Sequence, residues 1–292
     1  MSTYTLKNYA NQLTKILPET GGAVSLIFCV DEKLIAETVK HQINLGFDAV
    51  VLFIRSEDDR FDNERVINVI QSIDQYDEMW PVFQTVSRQL VGHWINWGFN
   101  GEFFYFPFCE NRNVKDLITF MKEERRQTVF GTVIDAYSRN LYEDSTGVSF
   151  DNTGIDTANY FSTDIEPHEF SKSDEDVRNR VKRVHGGLRW RFVEWIASGQ
   201  YRIDRVPLFL MTDQLEFDEN GQTENAEFYA YKCAHHYNPT AAVVSFRTII
   251  DLRHNPSSRA QIWDLNWTGT ETFSWNSGQL LRLGIIETGQ WF

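Results

Sequence analysis

The feature that most limits the fold is a pair of unbroken apolar runs separated by one amphipathic segment. Ala23-Val24-Ser25-Leu26-Ile27-Phe28-Cys29-Val30 and Ala49-Val50-Val51-Leu52-Phe53-Ile54 are apolar but for Ser25. A strand with one wet face alternates polar and apolar residues, whereas a strand covered on both faces reads as a continuous run. Between the runs, residues 33–44 place Leu34, Ile35, Val39 and Ile43 at helical spacing, and Gly46 supplies a C-cap. Strand, helix and strand in that order make a βαβ unit and predict an α/β fold with a mixed, mostly parallel sheet flanked by helices. Charged residues follow each strand: Asp31-Glu32 after the first, Arg55-Ser56-Glu57-Asp58-Asp59 after the second. Ligands of open α/β sheets bind beyond the carboxyl ends of strands, so Asp31, Arg55 and Glu57 stand where a ligand is expected. Helix capping and solvated loops account for the same residues equally simply.

Further elements follow from periodicity. Helices are expected over Tyr4–Leu17, Asn63–Ile73 and Asn113–Glu124, and another starting near Thr240. Thr128–Ile134 reads as a strand ending at Asp135, and the polar stretch Ser138–Asp176 as a lid or substrate loop. The expected organisation is a half over residues 1–137 and a second over residues 138–292, packed as one continuous domain with a C-terminal α+β extension.

Three places are chemically dense. The aromatic run from Trp97 to Pro107 is broken by Asn100-Gly101-Glu102, which sets two oxygen-bearing side chains two residues apart around a glycine. Such a pair can face a hard divalent cation, and Asn-Gly is also a strong turn signal. His185-Gly186-Gly187-Leu188-Arg189-Trp190-Arg191 combines glycines whose backbone can approach an anion with arginines that bind phosphate; a tight turn before a strand explains it as well. His235-His236 are adjacent and diverge, so one of the two at most joins a metal site with Asn100 and Glu102.

The charge balance is 28 Lys and Arg against 41 Asp and Glu, a formal net charge of −13, which argues against sequence-independent nucleic-acid binding. Cys29, Cys109 and Cys233 are widely spaced and odd in number, so reduced thiols are expected. No apolar stretch reaches the length of a transmembrane segment, and the expected location is cytoplasmic. The aromatic content of 14% is mostly core material, with ligand stacking as the alternative use.

Taken in order, these segments resemble family-2-like glycosyltransferases of the GT-A fold. Leu26 to Glu32 with Val39 to Asp48 is similar to the family's opening strand and helix. Asn100-Gly101-Glu102 falls where the family has Asp-x-Asp, His185 to Arg191 resembles its Gly-Gly-x-Arg-x-Arg element, and His235-His236-Tyr237-Asn238-Pro239-Thr240 its His-His-Asn-x-Thr segment. The resemblance implies a nucleotide-diphosphate-sugar donor, a glycan, lipid or protein acceptor hydroxyl, and Mn2+ or Mg2+ as cofactor. It implies a base or ribose contact at Asp31 and metal contacts at Asn100, Glu102 and His235 or His236; Arg55 and Glu57, in a loop that departs from the family's, and His185, Gly186, Gly187 and Arg189 are donor-contact candidates by their position and chemistry. Asp135 is a candidate catalytic base, with Asp164 and Glu169 as others. Asn100 departs from the family pattern, because a neutral carboxamide replaces an expected carboxylate and weakens a cation site. That departure motivates an alternative: a degenerate, non-catalytic relative that binds a sugar, nucleotide or protein. A metal-dependent hydrolase using Glu102, His235 and His236 is a further reading; it lacks the usual spaced histidine pairs.

Overall fold

In the computed structural model, Ala23–Phe28 (β1) and Ala49–Ile54 (β2) are strands buried along their whole length, joined by the helix Ile35–Asn44 (α2). The structure describes residues 3–139, 146–157, 160–164, 182–196, 203–229, 238–262 and 264–292. The described chain is α/β and divides into two compact units. The first comprises Met1–Phe103, Cys109–Val129 and Val206–Phe228; the second comprises Phe104–Phe108, Phe130–Arg205 and Tyr229–Phe292.

In the first unit β1 pairs in parallel with β2, and β2 with Val66–Ile70 (β3). On its other edge β1 pairs in parallel with Trp94–Phe99 (β4), and β4 pairs antiparallel with the strand Asp204–Leu210 (β10). The order β3-β2-β1-β4-β10 is therefore mixed and mostly parallel. Alternation splits the side chains of β1 between two layers. Ile27 and Cys29 join Val50, Leu52 and Ile54 against Ile35 and Val39 of α2. Phe28 faces the other way, stacked on Phe53 at 4.8 Å between ring centroids and near Phe83 at 6.4 Å. Phe83 lies on the helix Met79–Ser87 (α3), beside Trp80 and Trp97. A cluster of aromatic rings thus covers one face of this sheet, each fully buried Phe contributing about 1.5–3 kcal/mol.

Three expectations for this unit change. Residues 63–73 contain a strand, not a helix, because Val66, Ile67, Val69 and Ile70 are β-branched and complete the parallel ladder on β2. The first helix shrinks to Ala10–Ile16 (α1), since Tyr4 instead bridges to Val69 along the outer edge of β3. α3 was not foreseen; Pro81 sits in its first turn, where a missing N–H costs little. The helix expected over Asn113–Glu124 forms as Val114–Glu123 (α4), with Asn113 and Asp116 making a reciprocal capping box.

The second unit is built on Thr128–Ser138 (β6), of which residues from Phe130 onward belong to it. β6 pairs in parallel with Ala241–Ser245 (β11) and antiparallel with Thr153–Asp156 (β7); β7 pairs antiparallel with Thr270–Thr272 (β12). Phe161–Asp164 (β8) and Lys182–His185 (β9) form a separate antiparallel pair. The helices here are Gly187–Arg191 (α5), Arg247–His254 (α6), Pro256–Gln261 (α7) and Ser277–Arg282 (α8). Residues after Thr240 form a buried strand, not a helix: Ala241-Ala242-Val243-Val244 lies fully inside the ladder with β6. The stretch 138–176 is less irregular than expected, because β7 and β8 fall within it. β6 continues to Ser138, so Asp135 lies within a strand and not at its end.

Candidate functional site

The chain crosses from one side of β1 to the other between β3 and β4. Successive strands β1, β2 and β3 step outward in one direction, and β4 is then laid on the opposite edge of β1. Such a switch point leaves a crevice beyond the carboxyl ends of the two adjacent strands, the usual place for a ligand in an open α/β sheet. The ends in question are Phe28 and Phe99, which are partners in register. Asp31 follows the first and Asn100-Gly101-Glu102 the second, so two segments 70 residues apart in sequence meet at this point.

Their meeting is through the Asn100 side chain, which is fully buried. Its Oδ1 accepts the Val30 N–H at 3.1 Å. Its Nδ2 donates to Asp31 Oδ1 at 2.7 Å, to the Lys33 carbonyl at 2.7 Å and to the Asp31 carbonyl at 3.1 Å. Asp31 Oδ1 also accepts the Lys33 N–H at 2.9 Å, so the carboxylate orientation is set by two donors. Glu102 is 3% exposed and its Oε2 accepts the Phe99 N–H at 3.0 Å. Gly101, at φ +80°, turns the chain and donates to Thr38 Oγ1 at 2.8 Å, tying the turn to the first turn of α2. The turn does not close a hairpin: β4 pairs β1 and β10, and not the following strand Glu102–Tyr105 (β5).

Among the described residues, Asn100 does not offer a cation the free ligand oxygen that the family pattern implies. The amide of Asn100 points its hydrogens, not an oxygen, at the neighbouring oxygens, and no group of three His, Cys, Asp or Glu suited to a metal occurs among the described residues. His235 and His236 lie outside the described residues, as does Glu169.

Arg55 and Glu57 follow β2. Arg55 pairs with Glu32 at 3.1 Å and lies 4.0 Å from Asp59, and Glu57 accepts the Thr3 hydroxyl at 3.0 Å. These are partly exposed pairs of small individual worth. They follow β2 at the carboxyl end of the sheet, as Asp31 follows β1.

The second unit gathers a different set. Asp135 is 1% exposed and sits opposite Ser245 in the β6–β11 ladder. It accepts the Arg189 backbone N–H at 3.1 Å, Arg189 Nε at 2.9 Å and the Thr248 hydroxyl at 2.8 Å. Arg189 reaches on to Ser245 Oγ at 3.2 Å. Gly187 adopts φ +65°, and a Cβ there would stand 2.8 Å from Asp135 Oδ2. The anion that Gly187 and Arg189 approach is thus the chain's own carboxylate, while Gly186 lies against the Tyr160 ring, and the described surroundings hold the carboxylate in place rather than present it. The backbone turns into a short helix, α5, and not into a strand. His185 Nε2 bonds Thr163 Oγ1 at 2.9 Å, with its ring against Phe161 and Trp190. Asp164 is the last residue of β8.

Sequence reasoning missed several partners. Thr248 and Ser245 were hidden by reading a helix where β11 runs. Asp156, placed in an expected loop, receives Arg191 through Nε at 3.3 Å and a terminal nitrogen at 3.1 Å. Arg191 lies over Trp267 at 4.3 Å, and Tyr160 donates to the Asp156 carbonyl at 2.7 Å. Burial pushes the Tyr137 phenol up to about 12 and the Tyr160 phenol well above its ordinary value, with the Asp135 and Asp156 charges adding to the second shift. Both phenols are neutral at neutral pH, and Tyr160 is a donor. Thr38 was legible only as a helix residue; nothing in its spacing pointed to Gly101.

The chain matches no family model and no curated protein.

Proposed function

We propose that the chain binds a nucleotide-diphosphate-sugar at the carboxyl ends of β1, β2 and β4 and transfers the sugar to an acceptor hydroxyl, in the manner of GT-A glycosyltransferases. One observation supports this most: Asp31 and the Asn100–Glu102 turn come together at the switch point between β1 and β4. A carboxylate fixed there can accept hydrogen bonds from ribose hydroxyls or a base N–H. Arg55, at the end of β2, supplies positive charge at the same edge of an otherwise acidic chain. Glu102 lines the turn itself. The reading gives Asp135 and Arg189 the task of holding α5 against β6 and β11, and it routes no step through a cation.

A second reading has its own support. The inward use of the Asn100 amide suits a protein that binds a nucleotide or sugar without turning it over. Donor hydrolysis separates the two. Turnover by the wild type that Glu102→Ala abolishes favours the transferase; binding without turnover in the wild type favours the non-catalytic protein. No helix among the described residues is long and apolar enough to cross a membrane.

A further inference from the structure

We infer that the Asn100 amide nitrogen occupies the place of a bridging cation and holds the segment after β1 in shape without one. Three oxygens from that segment surround Nδ2: Asp31 Oδ1 and the Lys33 carbonyl at 2.7 Å, and the Asp31 carbonyl at 3.1 Å. Two N–H bonds serve three acceptors, so at least one is shared. An aspartate here would turn a fourth oxygen toward those three, and at a pH where both carboxylates are ionised and share no proton a cation is needed to reconcile them; Ca2+ takes such oxygens at about 2.3–2.6 Å. The amide replaces that cation with a covalently tethered, neutral donor. The backbone beyond shows what the latch constrains. Leu34 is held at φ +57°, a left-handed conformation rare for a branched residue, directly after the latched Lys33 carbonyl. Thr38 bonds the Leu34 carbonyl at 2.7 Å and receives Gly101 N–H, closing the network from the turn to α2. Asn100 is therefore a positioning residue: it sets Asp31 and touches no ligand itself. That Asp31 contacts a donor rests on the function proposed above; the latch does not.

Amide hydrogen exchange resolved over residues 29–35 tests it in EDTA and in Ca2+. In EDTA, Asn100→Asp should exchange this segment about tenfold faster or more than wild type, with the rest of the first unit unchanged. Adding Ca2+ should restore protection in Asn100→Asp and leave the wild-type segment unaltered. Equal exchange in the two proteins in EDTA, or failure of Ca2+ to restore protection, overturns the inference. If Asn100→Asp folds only with Ca2+, the inference stands. If it folds in neither, Asp31→Ala decides: faster exchange over residues 29–35 supports the latch, and unchanged exchange overturns it. UDP-glucose affinity, measured in parallel, should fall in Asn100→Asp in EDTA and return with Ca2+. Absence of UDP-glucose binding by wild type would count against the donor reading while the exchange result still stands.

Discussion

The switch point of the first unit and the Asp135 cluster of the second solve the same problem with opposite chemistry. Each must satisfy a fully buried polar side chain that joins distant segments. At the switch point a neutral carboxamide does so, giving and accepting hydrogen bonds in four directions. Around Asp135 an ion pair does so, with side chains 4% and 1% exposed and a threonine hydroxyl completing the shell. A neutral latch needs little desolvation and stays compatible with an anionic ligand nearby. A buried ion pair is costly to desolvate and costly to break, because removing one partner strands the other charge. The difference teaches that the motif that looks weakened is well made, and that the arginine-rich motif is committed to its own carboxylate.

The largest effect should come from breaking the ion pair. Asp135→Ala is expected to lower stability in urea unfolding by about 3–5 kcal/mol, and replacing Arg189 by Met as well should recover part of that loss. A loss as small as that of a surface pair would contradict the buried-pair account. Asn100→Asp in EDTA should cost less, about 1–3 kcal/mol for unsatisfied buried acceptors. Gly187→Ala should cost about 1–3 kcal/mol by thermal unfolding, since φ +65° and the 2.8 Å approach to Asp135 both oppose a Cβ.

Acid response sharpens the contrast further. Burial holds the His93 imidazole below its ordinary 6.5, with Asp48 pulling the other way, and its Nδ1 is buried without a hydrogen-bond partner. The unfolded chain then binds the proton more readily than the folded one. Stability contributed by neutral His93 is therefore full above about pH 6.5 and declines as pH falls from there through the lower folded value. His93→Gln should flatten that decline in unfolding measured across the window; an unchanged profile would assign it elsewhere. The smallest effect is expected at Arg191→Lys, where loss of the guanidinium from over the Trp267 ring should cost about 0.5–1 kcal/mol in thermal unfolding.

Much of the first unit was legible in the sequence because burial on two faces leaves a continuous apolar run. β1, α2, β2 and α4 stood out for that reason or for their caps. The failures have physical causes. β3 carries Asn68 amid β-branched residues, and the polar residue disguised a strand whose amide in fact bonds the Phe61 backbone in both directions. β11 follows a proline and an apparent cap, and only its partner β6 reveals it as a strand. At the switch point the sequence showed which residues would meet but not how. Asn100 read as a poor cation ligand because its type was visible and its donors' targets, the Asp31 and Lys33 oxygens, were not. Asp135 and Arg189 read as separate functional candidates because nothing in their spacing shows that they neutralise each other.

The most direct test of the account is a calorimetric titration of wild type and Asp31→Ala with UDP- and GDP-sugars, with and without Mn2+. Saturable one-to-one binding by the wild type, weakened about tenfold or more by Asp31→Ala, is the predicted result. Failure of every nucleotide-sugar to bind, or binding indifferent to Asp31→Ala, would contradict it.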